Sequence, residues 1–200
     1  MMIPSAFNPQ PLTTPMTTVI DLAIPDVKLL KPKLHRDDRG YVTEIVHEKQ
    51  MQELGLPIRF MQENQSMSAR RNTVRGMHSQ KPPHAQAKLV RVLRGRILDV
   101  VVDVRPDSPT YGKHIGIELG SEEVEQLFVP VGFLHGFCTL EDHTVVLYKM
   151  SNLYAPGSEV GVVWNDPDLG IAWPVQPGQA ILSGKDEKLP RFKDFPRIEW

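Results

Sequence analysis

Cysteine occurs once, at Cys138, in 200 residues. A lone thiol excludes an intramolecular disulfide and a cysteine-based zinc site, and it fits a reducing compartment, so the cytoplasm is the expected location. An excess of charge is missing as well, with 23 Lys and Arg against 24 Asp and Glu. The field of the whole molecule therefore draws it to neither nucleic acid nor an anionic membrane, and local arginines must hold any anion. No apolar stretch approaches the roughly 20 residues that span a bilayer. The opening text MMIPSAFNPQPLTTPMTT has no basic cluster and no apolar run of about seven, so it reads as neither signal peptide nor anchor. It reads as part of a Pro/Thr-rich arm, residues 1–26, loosely ordered unless a neighbouring chain holds it. Repeats, heptads, low-complexity tracts and a glycine-rich phosphate loop are also missing. One domain is expected, over 27–187, followed by a tail at 188–200.

What is present is the punctuation of an all-β protein. From about residue 27 onward, stretches rich in Val, Ile, Leu and Thr alternate with Gly, Pro and Asp. VKLLKPKL, GYVTEIV, IRFMQENQS, TVRGMHSQ, AKLVRVL, RILDVVVDVR, HIGIEL, EQLFVPV, LHGFCTL and TVVLYKM are predicted strands. EKQMQELG is the best short helix, ended by Gly55, and SEEVEQ is a weaker helical turn. So many strands in one short chain favour a closed or sandwiched barrel whose edges are covered. Beyond Asn152 the pattern fades into Pro-rich text that is expected to wrap the barrel, with Trp164 and Trp173 as packing anchors.

Alternation places His78 and Gln80 on one face of a strand, and Lys88, Val90 and Val92 on one face of the next. The same parity turns Tyr148 inward with Val146 and Met150. Pro130, Gly132 and His135 in VPVGFLHGF have the Pro-x-Gly-x-x-His spacing of the second cupin motif. Lys88 then stands where a cupin carries a glutamate metal ligand, and HSQ stands where His-x-His would be. A lysine cation repels a divalent ion, so neither a metal nor another cofactor is expected. An imidazole, an ammonium and a phenol in a dry barrel suit proton transfer beside a carbonyl. His78 would be the base, Lys88 the cation at the developing oxyanion, and Tyr148 the acid on the opposite face. A carboxylate behind the base would hold its tautomer, and Asp186 in LSGKDEK is available for this. A carbohydrate-binding cupin without catalysis and a metal-dependent cupin remain as rivals at this point.

The chain resembles the dTDP-4-dehydrorhamnose 3,5-epimerases, nucleotide-sugar epimerases of the cupin superfamily. The similar text runs from DDRGYVTEI through FMQENQS, RGMHSQ, AQAKLVRVLRGRILDVVVDVRPDSPTYGKHIGIEL, FVPVGFLHGF and LYKMSNLYAPGSEVGVVWNDPDLGIAWP to LSGKD, roughly residues 28–187. The resemblance implies a cupin-type double-stranded β-helix, or jelly-roll, barrel with a few short helices. It implies His78 as base, Lys88 at the enolate, Tyr148 as acid and Asp186 as partner of the base, with His135 in the same pocket. It further implies sugar or nucleotide contacts by Gln62 and Asn64, diphosphate contact by Arg75, and contributions from Arg39 and Glu44 across the interface of a homodimer. The substrate would be a nucleoside diphosphate 4-keto-6-deoxyhexose, inverted at both carbons beside the ketone or, alternatively, at one. This chain reads HSQ and NQS where the family commonly reads HFQ and NHS, and it has Tyr41 where phenylalanine is usual.

Overall fold

The structure, a computed structural model, describes residues 17–56 and 59–200. The first half contributes β1 (Thr17–Asp21), β2 (Lys28–Pro32), β3 (His35–Asp37), β4 (Gly40–Val42), α1 (Glu48–Glu53), β5 (Gln62–Ser68) and β6 (Val74–Gln80). The second half contributes β7 (Lys88–Arg94), β8 (Arg96–Asp103), β9 (His114–Gly120), β10 (Gln126–Val129), β11 (Phe133–Thr139), β12 (Thr144–Met150) and β13 (Glu159–Gly161). One antiparallel sheet has the order β1-β2-β10-β7-β12-β5, and a second has the order β13-β6-β11-β8-β9. The two face each other as the expected jelly roll, with a small β3-β4 hairpin beside them.

Side-chain parity builds the interior. Val90 and Val92 of β7, Leu127 and Val129 of β10, and Val146 of β12 meet Ile97 and Val101 of β8 and Phe133 and Phe137 of β11 in one buried cluster. Strand β8 is apolar on both faces because both are covered, which is why RILDVVVD reads as a nearly continuous apolar run. Its other face, through Val100 and Val102, packs under Leu169, Phe195 and Ile198 of the C-terminal segment. The outer face of the larger sheet is closed over Leu30, Leu89 and Phe128 by Met51 of α1 and by Leu56. That helix ends as the text indicates, with Gly55 at φ +74°. Its start is capped by His47, whose Nδ1 accepts from the Gln50 amide at 3.4 Å.

Several elements depart from the pattern. Thr17–Asp21, inside the stretch read as an arm, pairs with β2 from Thr17↔Pro32 to Asp21↔Lys28. Residues 1–16 of that arm, and Ile58 at the head of IRFMQENQS, lie outside the described residues. GYVTEIV keeps only Gly40–Val42 as strand. SEEVEQ forms a turn over residues 121–123, and Val124, at φ +58°, buries its side chain fully in the core just before β10. Trp164 and Trp173 do anchor the tail, edge to face at 5.9 Å, with Trp173 Nε1 donating to the Trp164 carbonyl.

β6 and β11 approach unusually closely beside the site. A Cβ on Gly76 would sit 2.6 Å from the Gly136 Cα, and one on Gly136 would sit 2.7 Å from the Arg75 carbonyl. Only glycine fits both positions, and this close contact sets His78 next to its register partner His135.

Candidate active site

A cavity of about 300 Å³ opens between the sheets. His78 and His135 reach it from the five-stranded sheet, while Asn64, Lys88, Tyr148 and Met150 reach it from the six-stranded sheet. The groups singled out as base and acid therefore stand on opposite walls. Arg75 also lines the cavity, and its guanidinium is steered there by Ser68 Oγ at 3.2 Å and the Met67 carbonyl at 3.3 Å.

Asp186 is 4 % exposed although it sits in a run of charged text, and its Oδ1 lies 2.7 Å from His78 Nε2. Burial alone would raise its pKa, but hydrogen bonding and charge from His78, together with bonds from Ser183 and the Gly76 amide, hold the carboxyl below its usual range. A carboxylate in this position fixes the imidazole tautomer and orientation, leaving the other ring nitrogen to act. A second carboxylate is close by, with Glu159 Oε1 4.0 Å from the same nitrogen. Burial pushes Glu159 up, and Lys185, His78 and Tyr154 together bring it below the ordinary range.

Lys88 is partly buried, with its head at the cavity. Desolvation pushes its ammonium down to about 8, and the charges of Asp99 and Glu159 limit that fall. His135 bonds Asp99 through Nε2 at 2.8 Å, with both side chains buried. Among the described residues, no three of His, Cys, Asp and Glu cluster in a metal-holding arrangement.

The structure thus brings His78, Lys88, Tyr148, Asp186, Asn64, Arg75 and His135 to one place, with Asp186 behind His78. Gln62 stands at the edge, donating to Asn64 Oδ1 and accepting from the Tyr154 amide. Arg39 and Glu44 do not line the cavity of their own chain. Arg39 is 89 % exposed on the β3-β4 turn and, among the described residues, its side chain bonds only Asp37.

A model of the dTDP-4-dehydrorhamnose 3,5-epimerase family matches residues 21–194. The chain belongs to this family. It is 44% identical over 176 residues to the dTDP-4-dehydrorhamnose 3,5-epimerase of Salmonella typhimurium, covering 88% of this chain and 95% of that one. Among solved structures, the Bacillus anthracis dTDP-4-dehydrorhamnose 3,5-epimerase with TDP and PPi bound superposes with TM-score 0.85 at 47% identity, covering 88% and 99% of the two chains. The Legionella pneumophila dTDP-6-deoxy-D-glucose-3,5-epimerase in complex with dTDP-4-keto-L-rhamnose gives TM-score 0.85 at 36% identity, covering 92% and 100%. The epimerase fold and the enzyme class read from the residues are therefore those of the family.

Sequence reasoning passed over Asp99, Tyr154, Glu159 and Lys185, all near or in this epimerase cavity. Asp99 carried a readable signal, since it holds an inward position between Ile97 and Val101 where an unpaired charge is costly. Tyr154, Glu159 and Lys185 lie in aperiodic text and had none. No helix of the described residues is long and apolar enough to cross a membrane. Cys138 is buried, and burial pushes its thiol up to about 11.

Proposed function

We propose that this protein inverts dTDP-4-dehydro-6-deoxy-D-glucose at C3 and C5, using His78 as base, Lys88 as oxyanion stabiliser and Tyr148 as acid. The observation that carries this reading is the pairing of an aspartate-backed imidazole on one wall with a phenol and a partly buried ammonium on the other. A ketone at C4 acidifies the C–H bonds on both neighbouring carbons. His78 takes one of these protons, and the electron pair of the C–H bond moves into an enolate whose oxygen lies against Lys88. The Tyr148 hydroxyl then delivers a proton to the other face of the same carbon, which inverts it. The imidazolium and phenolate left behind reset by exchange with water, so the incoming hydrogen originates in solvent. Arg75 faces the diphosphate, and Gln62, Asn64 and His135 contact the sugar or nucleotide. The fixed cation at the oxygen is Lys88, and the reading carries no metal or redox cofactor.

Reaction in heavy water tests this directly. The product is expected to carry deuterium at both C3 and C5 by mass spectrometry. Label at one carbon would make the protein a single-carbon epimerase, and bound substrate without any label would make it a binding protein.

The working form in this proposal is a homodimer in the cytoplasm. The β3-β4 hairpin supports it: all its strand residues are exposed, and Arg39 and Glu44 lie away from their own cavity. Arg39 would complete the partner's site. Mixing His78→Ala and Arg39→Ala chains, each weak alone, is then expected to restore about a quarter of wild-type activity, since re-pairing makes about half the dimers mixed and each holds one intact site. No gain on mixing would place Arg39 in its own chain's chemistry.

A further inference from the structure

β8 directs four residues into the interior, and two of them, Ile97 and Val101, are apolar core. Asp99 lies between them, 0 % exposed. It has one hydrogen-bonded oxygen, held by His135 Nε2 at 2.8 Å, while Oδ2 is buried with no partner. A packing role at this position calls for Val or Ile. A carboxylate with a single bond is costly to bury unless a nearby cation compensates it. Lys88 of β7, on the opposite sheet, lines the same cavity as the His135 that holds Asp99, and desolvation disfavours its ammonium.

We infer that Asp99 is a positioning residue for the reaction: its charge, set from the opposite sheet and oriented by His135, keeps Lys88 an ammonium at working pH inside the cavity. This rests on the role of Lys88 given above. Glu159 of β13 adds to the same field, and the other charged or titratable groups around the cavity are His78 and Arg75 of β6, His135 of β11, Tyr148 of β12, Tyr154, and Lys185 beside Asp186. Lys185 and Tyr154 both bond Glu159, which diverts that carboxylate toward the mouth. Asp99 has no competing cation partner among the described residues, so its charge serves Lys88 and His135 alone. With the carboxylate in place Lys88 titrates at about 8, and the ammonium is present below that pH and lost above it.

The test compares full-length wild type with Asp99→Asn, which preserves shape and removes charge. In protein carrying 13C-lysine, the Lys88 Cε resonance, assigned by its absence in Lys88→Met, is expected to titrate near 8 in wild type. In Asp99→Asn the midpoint is expected to fall by on the order of one pH unit, the shift typical of losing one close opposite charge. The alkaline limb of kcat moves with it, KM changes little, and activity recovers as the pH is lowered. Asp99→Glu, which keeps a charge, is expected to hold the midpoint near that of wild type, and it decides the matter if the Asn variant does not fold. An unmoved Lys88 resonance in Asp99→Asn, or a Glu variant displaced like one without charge, overturns the inference. The resonance is read without substrate, so a chain that failed to epimerise would sink the proposed function and leave this titration to be judged separately.

Discussion

Replacing His78 by Ala is expected to slow epimerisation by about a hundredfold to ten-thousandfold, the range a positioned general base contributes. Two imidazoles on this wall are backed by buried carboxylates, His78 by Asp186 at 2.7 Å and His135 by Asp99 at 2.8 Å, and the family resemblance assigns the base to His78. Asp186 would lose that partner but keep its bonds from Ser183 and the Gly76 amide, so the fold is expected to survive. The measurements are kcat and the rate at which solvent deuterium enters the sugar, and both should fall together because the same step limits them. A variant that retained near-native exchange would remove His78 from the role of base.

The second large effect is expected from Lys88→Met, which preserves the length of the side chain and deletes its charge. An oxyanion donor in a water-poor site is worth about a hundredfold to a thousandfold in kcat. Nucleotide-sugar affinity should change far less, since the proposed diphosphate contact is Arg75 and not Lys88. The wild-type fall in rate above about pH 8, where the ammonium is lost, should also vanish in the variant. If KM rose and kcat held, Lys88 would be a binding group and the enolate would have to be stabilised elsewhere.

Both residues were legible because strands have a period of two. Once TVRGMHSQ and AKLVRVL are read as strands, Val90 and Val92 fix which way Lys88 points, and Gln80 accompanies His78 to the same cavity. Asp186 was legible as an available carboxylate, but its place behind His78 came from the family resemblance and not from any local pattern. Its surrounding text, LSGKDEK, is that of a solvated loop, and its burial arises because the tail folds back along β6, where Thr73 bridges Ile181. No local pattern encodes such a return. Val124 was not legible in this way: SEEVEQ reads as a helical turn, and nothing in its composition marks a fully buried valine at φ +58° where the chain enters β10. Arg39 and Glu44 are legible as text but their use is not, because neither lines the cavity of its own chain.

His78 and Tyr148, the proposed base and acid, ride on separate sheets, so the thickness of the sandwich governs the gap between them. That thickness is set by Leu127, Phe133, Phe137 and their neighbours, none of which meets the sugar's reacting carbons in the proposed mechanism. The apolar layer between the sheets is thus a ruler for stereochemistry, and a chain whose sheets settled closer together around a shortened core phenylalanine would lose inversion while its strands were still intact.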